Sequence, residues 1–305
     1  MAKTIGELDG VGSKTKERLG ELGFNSLGDL ATGDVSVLDE HPDISISESK
    51  LQELIELASA EAIVIQTGQE VVEEYENRGK VPTGIPELDE KIEGWENRSL
   101  IAVGGSTGAG KTQIAFQACG EAVKATGKPA VYIETEPDRY RGKRIVDMFD
   151  EETQSMVHKV SVAGEDALDM QYRAYKAVHE QYDDVSLVVV DSFTSRFRLA
   201  TKFDGRESLG KRNQEFSRHL QALESMAIDL DCPVLLNCQV YPSPQMYGSK
   251  DVIYGSSLMM HMVNYVVKMR KSSGALSNLK VQNHPEFGDF DMDVQILEEG
   301  IVYAE

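Results

Sequence analysis

The chain has 305 residues, of which 41% are hydrophobic, and carries 51 acidic against 31 basic side chains for a net charge of −20. That length suits one large α/β domain with a small second one, and no apolar run reaches the ~20 residues of a membrane helix, so no membrane span is expected. So acidic a surface repels nucleic acid unless basic residues are gathered locally, and it favours solubility at high salt, which leads us to expect a halophilic source.

The start, Met1-Ala-Lys-Thr-Ile-Gly6, has no apolar signal core, so a cytoplasmic protein is expected. Cys119, Cys232 and Cys238 have no metal-ligand spacing and read as core thiols.

Residues 1–60 read as a small all-α domain. In Leu8-Asp-Gly-Val-Gly-Ser-Lys14 two glycines bracket a tight turn between short helices, with Leu8, Val11, Leu19 and Leu22 facing inward. Ser47 caps a closing helix that runs to about Ala58. Between Lys3 and Glu56 stand five basic and twelve acidic residues, a surface that suits protein as readily as DNA.

Residues 61–82 form a linker. Its Ala62-Ile-Val-Ile65 is β-prone, and such a segment either adds itself to the sheet edge of a neighbouring copy or packs on its own domain. A charged helix follows near residues 70–78.

From residue 83 to 305 strands and helices alternate, the pattern of a mainly parallel twisted sheet with helices on both faces. Leu100-Ile-Ala-Val103 is a short buried strand, and Ile114, Ala118, Cys119 and Ala122 have helical spacing. Between them lies Gly105-Ser106-Thr107-Gly108-Ala109-Gly110-Lys111-Thr112. This Gly-x4-Gly-Lys-Thr pattern wraps backbone N–H groups and a helix N-terminus around nucleotide phosphates, with Lys111 as a point charge and the Thr112 hydroxyl as a ligand for Mg²⁺.

Ala130-Val-Tyr-Ile-Glu134 is the next strand, followed by Thr135 and Glu136 and by Arg139, Arg141 and Arg144 leading into a helix. A third strand is expected at residues 157–162 and a helix at 166–182. Leu187-Val-Val-Val-Asp191 ends four apolar residues in a carboxylate at the sheet edge where such folds hold ligands, so Asp191 is a candidate for the Mg²⁺ site beside Thr112. Pro233-Val-Leu-Leu-Asn-Cys-Gln239 is a further buried strand with a polar end. Met262 to Arg270 and Leu279 to Gln282 read as a hairpin, with residues 291–297 extending an antiparallel C-terminal side.

Two segments are either solvated connections or candidates for DNA contact. From Arg196 to Arg218 stand seven basic residues (Arg196, Arg198, Lys202, Arg206, Lys211, Arg212, Arg218) against three acidic ones, a reversal of sign that phosphate contacts require. The stretch from Tyr241 to Tyr254 is rich in Pro, Ser and Gly and offers Tyr241, Tyr247 and Tyr254 for base stacking.

The order of these features resembles the archaeal RadA recombinases of the RecA-like strand-exchange family over nearly the whole chain. The resemblance rests on the glycine-bracketed turn as a helix–hairpin–helix, Pro82-Thr-Gly84, the phosphate loop through Gln113, Glu134-Thr-Glu136 with Arg144, Val190-Asp-Ser-Phe-Thr-Ser195 and Cys238-Gln-Val240. It implies a RecA-like P-loop ATPase core behind a helix–hairpin–helix N-terminal domain. It further implies a DNA-dependent ATPase that coats single-stranded DNA as a self-associating filament or ring and pairs it with duplex DNA in recombinational repair. ATP and Mg²⁺ are the implied cofactors, with K⁺ as a stimulating ion, and the cytoplasmic nucleoid the implied location.

By the same resemblance Glu136 polarises the attacking water, Gln113 lines the nucleotide, Arg144 stacks on adenine, and Gln239 senses the γ-phosphate and couples it to the DNA loops. Arg198, Arg206, Lys211, Arg212 and Tyr247 become DNA contacts, and Ile65, Gly68 and Lys250 contacts between subunits. The departures are specific. Ser106-Thr107 stands for the family's Glu-Phe, Asn237-Cys238-Gln239 for Thr-Asn-Gln, Ser249-Lys250 for Asp-Pro, and Ile65-Gln-Thr-Gly68 for Phe-x-x-Ala. Those on elements that reach across subunits leave a second reading, a paralogue or mediator with weak ATPase that regulates another filament. A GTPase-type switch is disfavoured, because no Asn-Lys-x-Asp motif occurs.

Overall fold

A computed structural model describes residues 5–24, 26–63, 65–136, 142–162, 167–200, 209–242 and 251–304. The chain divides into two compact units, Met1–Arg78 and Gly79–Glu305.

In the first unit a short turn, Ile5–Glu7, is followed by helices α1 (Ser13–Glu21), α2 (Leu27–Ala31), α3 (Val37–Glu40), α4 (Glu48–Ala62) and α5 (Gly68–Glu76). Gly10 turns the chain at φ +84°, a conformation only glycine adopts without strain, and a Cβ there would lie 2.7 Å from Lys50 Nζ. Ser26 and Asp29 cap α2 reciprocally, and Ser47 Oγ accepts from Lys50 N at 3.3 Å to start α4. Leu51, Leu54, Ile55 and Ala58 form one face of α4 and pack with Leu19, Leu27 and Leu30 in a self-contained core. Ser59 Oγ, which donates to Ala31 O at 2.8 Å, ties α4 to α2.

The described residues of the linker's β-prone run, Ala62, Ile63 and Ile65, are not in a strand. α4 continues through Ala62, and Ile65 beyond it is 92% exposed with no strand beside it among the described residues. A lone extended segment has no ladder to complete within its own chain.

In the second unit the elements are β1 (Lys80–Val81), α6 (Pro86–Ile92), β2 (Trp95–Glu96), β3 (Leu100–Gly105), α7 (Lys111–Thr126), β4 (Ala130–Glu134), α8 (Gly142–Met148), α9 (Glu151–Ser155), β5 (Val157–Ser161) and α10 (Ala167–Gln181). They continue as β6 (Leu187–Asp191), α11 (Ser195–Leu199), α12 (Leu209–Asp229), β7 (Val234–Pro242), β8 (Asp251–Ile253), α13 (Ser256–Met262), β9 (Tyr265–Lys271), β10 (Leu276–Gln282), β11 (Phe290–Ile296) and β12 (Ile301–Tyr303). The sheet runs β12-β11-β10-β9-β3-β7-β6-β4-β5, with β8 paired to β7. Its strands are parallel from β9 to β5 and antiparallel from β9 to β12.

Strands buried on both faces read as unbroken apolar runs, and alternation then sorts their side chains. Ile101, Val103, Val189 and Leu235 pack under α7, while Leu100, Ala102, Val188, Val190 and Leu236 pack toward α10 and α12. This is the mainly parallel α/β core with an antiparallel C-terminal side that the sequence leads one to expect.

Two details differ. Met262 ends helix α13, and the strand begins at Tyr265, because Gly255 at φ +74° starts a helical turn that buries Met259. Leu100 N then donates to Asn264 Oδ1 at 2.8 Å and fixes the chain where it enters β9. Strand β12 extends the antiparallel side beyond the expected segment, held by a buried glutamine on α7. Gln117 Nε2 donates to Gly84 O and, at 3.0 Å, to Ile301 O, and Gln117 Oε1 accepts from Ile301 N at 2.6 Å.

Candidate nucleotide site and nucleic-acid face

The candidate phosphate loop, Gly105–Thr112, spans the end of β3 and the start of α7, and its glycines are there for space and sign of φ. A Cβ at Gly105 would meet Met269 O at 2.4 Å, and Gly108 and Gly110 have φ of +79° and +107°. The loop therefore bends tightly into the first turn of α7, whose free N–H groups and dipole favour an anion. Ser106, Thr107 and Gly108 are exposed at the mouth, and Ala109 is buried beneath. Lys111 folds back across the loop and donates from Nζ to Gly105 O at 2.8 Å and Ser106 O at 2.9 Å. Burial holds its ammonium pKa below the usual 10.5, against the opposing pull of Asp191.

Asp191, at the end of β6, is the hub beside the loop. Its Oδ2 accepts from Thr112 Oγ1 at 2.7 Å and from Tyr132 Oη at 2.5 Å. Burial, reinforced by the Asp191 carboxylate, pushes the Tyr132 phenol far up, so it remains a donor. The Asp191–Ser192 peptide is cis, and Thr135 binds both sides of it, with its N donating to Asp191 O at 2.9 Å and its Oγ1 donating to Ser192 O at 2.7 Å.

Glu136, two residues beyond β4, meets Gln239 of β7, with β6 lying between the two strands in the sheet. Gln239 Nε2 donates to Glu136 Oε1 at 3.0 Å, and Gln239 N donates to Thr194 Oγ1 at 2.9 Å. Arg198, on α11, donates through Nη1 to Gln239 Oε1. The structure thus brings together Lys111, Thr112 and Asp191, and separately Glu136, Gln239 and Arg198.

Two further candidate nucleotide contacts have hydrogen-bond partners on neighbouring elements. The Gln113 amide donates to Met148 Sδ at 3.1 Å, and Arg144 Nη1 donates to Leu297 O at 3.2 Å, which sets the guanidinium beside the turn between β11 and β12.

Of the basic segment, Lys211 and Arg198 are exposed. Arg212 lies over the Tyr254 ring at 5.6 Å and donates to its Oη at 3.2 Å, and Tyr254 in turn sits edge-on to Tyr241 at 6.4 Å. Arg196 and Arg218 serve packing in part: Arg196 Nη2 donates to Val162 O at 3.4 Å, and Arg218 lies 3.7 Å from the Tyr172 ring centroid. Arg206, Tyr247 and Lys250 lie outside the described residues. Ile65 and Gly68 are exposed in the first unit.

Sequence reasoning missed Tyr132 and Thr194. Tyr132 was recoverable from strand alternation, since it shares a face with Glu134, which is opposite Asp191 in register.

Residues 76–304 match the Rad51 family. The chain belongs to the Rad51 family. It is similar along its full length to curated relatives named DNA repair and recombination protein RadA. That of Methanococcus maripaludis strain C5 is 30% identical over 326 residues, covering 99% of each chain. That of strain C6 is 30% identical over 328 residues, covering 99% of this chain and 100% of the relative. The Rad51-family match contains every candidate nucleotide-site residue named above, from Gly105 to Gln239, whereas the first unit lies almost wholly before it.

Proposed function

We propose that this chain is an ATP-dependent DNA recombinase that assembles on single-stranded DNA and promotes pairing and strand exchange in recombinational repair. The observation that carries the reading is the chain of contacts Glu136–Gln239–Arg198, which links the surroundings of the phosphate loop to α11, where the basic segment begins.

ATP fits as substrate because the loop offers left-handed glycines, a helix N-terminus and a buried ammonium to a polyphosphate. Mg²⁺, with Thr112 and Asp191 as its protein ligands, would neutralise charge on the β- and γ-phosphates when bound. Lys111 leaves the loop carbonyls to meet phosphate. Glu136 orients the attacking water through its carboxylate, and Gln239 holds that carboxylate in position. Arg144 sits beside the β11–β12 turn as the adenine contact, and Gln113 supports the loop from α7.

On DNA, Arg198, Lys211, Arg212 and Arg206 meet phosphates, and Tyr247 supplies a stacking face. Ile65 and Gly68 dock on a neighbouring subunit, and Lys250 reaches that subunit's nucleotide. Residues 1–60 act as a helix–hairpin–helix domain, 61–82 as the subunit-contact linker and 83–305 as the ATPase. The acidic surface suits a halophilic cytoplasm rich in K⁺, where screening shortens to about 3 Å at 1 M salt and repulsion from DNA fades.

Electron microscopy with single-stranded DNA and ATP in molar potassium salt tests the reading. Regular helical filaments that form joint molecules with homologous duplex are expected. Isolated particles without strand exchange would favour the mediator instead.

A further inference from the structure

Asn237 is buried completely in β7, and neither its amide nitrogen nor its amide oxygen finds a hydrogen-bond partner among the described residues. A buried polar side chain with both ends unmet is rare, because it has lost its water and received nothing in return. Its position explains what it is for. In register, Asn237 stands between Val103 of β3 and Asp191 of β6. Alternation along β7 puts it on the face of Leu235, the face covered by α7. Thr112 at the start of α7 and Tyr132 from β4 both reach Asp191 Oδ2 on that face. Adjacent strands lie ~4.8 Å apart, so the amide is a neighbour of the Asp191 carboxylate at the base of the phosphate loop.

We propose that Asn237 is a further binding residue of the nucleotide site, whose amide meets the terminal phosphate and the hydrated divalent cation of Mg·ATP. This rests on the reading that the loop binds ATP. An amide suits the task because it offers two donors and an acceptor at once, for phosphate oxygen or the carboxylate on one side and for water on the other. An amide left unmet until nucleotide binds is a stability cost that binding relieves, so two consequences of opposite sign follow from removing it.

The test compares the full-length wild type with Asn237→Leu, of similar volume and no polar atoms, and with Asn237→Thr, which keeps a hydroxyl donor and acceptor. Calorimetric titrations use a non-hydrolysable ATP analogue with Mg²⁺, and ADP with chelator. Melting of the nucleotide-free proteins is followed in parallel. Asn237→Leu is expected to bind the Mg²⁺ analogue about tenfold more weakly, to bind metal-free ADP within about twofold of wild type, and to melt at the same temperature or higher without nucleotide. Asn237→Thr is expected to recover most of the lost affinity.

Asn237→Leu binding the Mg²⁺ analogue as wild type does would overturn the proposal. So would a lower nucleotide-free melting temperature, since the amide would then be satisfied inside the resting protein, or an equal loss of metal-free ADP binding, or no recovery with Thr. A wild type that binds neither nucleotide would instead strike down the ATP reading itself.

Discussion

Gln239 Nε2 donates to Glu136 Oε1 at 3.0 Å, while Arg198 donates to the other end of the same amide. One side chain therefore bridges the carboxylate proposed for hydrolysis and α11, where the basic segment begins. A change at either end of the amide is felt at the other, since rotating it breaks both bonds.

Glu136→Gln keeps the shape and an oxygen for Gln239 but removes the negative charge that orients water. Steady-state phosphate release should fall about a hundredfold or more, the usual loss when a positioned base is removed. ATP affinity by calorimetry should stay near wild type, and a proportionate loss of binding would reassign the residue to nucleotide binding.

Lys111 tests the electrostatics of the loop. Its pKa is depressed in the folded protein by burial, so between that value and the usual 10.5 the unfolded chain binds more protons and stability rises with pH. Below both values the cost of burying the charge is present in full. Lys111→Met should therefore abolish ATP binding yet leave the nucleotide-free protein melting at pH 7 as high as wild type or higher. It should also flatten the alkaline rise in stability. A lower melting temperature would mean that the bonds to Gly105 and Ser106 outweigh desolvation.

His284 makes an acid-side prediction. It packs against the rings of Tyr265 and Phe287 at 4.6 and 4.8 Å, and burial lowers its pKa from 6.5, with Glu286 opposing and Lys80 adding. A histidine kept neutral in the fold but free to protonate when unfolded contributes stability that is lost as pH falls through 6.5 toward its folded value. His284→Phe should weaken that acid-side dependence in urea titrations at successive pH values. An unchanged profile would show that other groups carry it.

Gln117→Ala should cost about 3 kcal/mol of unfolding free energy, because it leaves Gly84 O and both backbone groups of Ile301 without their partner in the interior. Denaturant titration reads this directly, and a loss under about 1 kcal/mol would mean that water replaces the amide.

How much of this was readable in the sequence follows from distance along the chain. The phosphate loop, the Asp191 strand end and the α/β alternation are local patterns, and they stand where the residues said they would. The contacts that turn them into a site are not local. Tyr132 reaches Asp191, Thr194 receives Gln239, and Gln117 binds Ile301, all through a sheet register that no short motif encodes. Met262 reads as strand from the sequence because a short apolar run has no period of its own, whereas in the fold Gly255 starts a helix that ends there. Ile63 and Ile65 show the reverse limit, since β propensity there has no strand to pair with among the described residues.

The most direct test of the coupling is ATP turnover with and without saturating single-stranded DNA, for wild type and Gln239→Ala, with DNA affinity measured alongside. The account predicts that DNA raises wild-type turnover and that Gln239→Ala still binds DNA and ATP but loses the stimulation. Stimulation of Gln239→Ala equal to wild type, or a wild type indifferent to DNA, would contradict it.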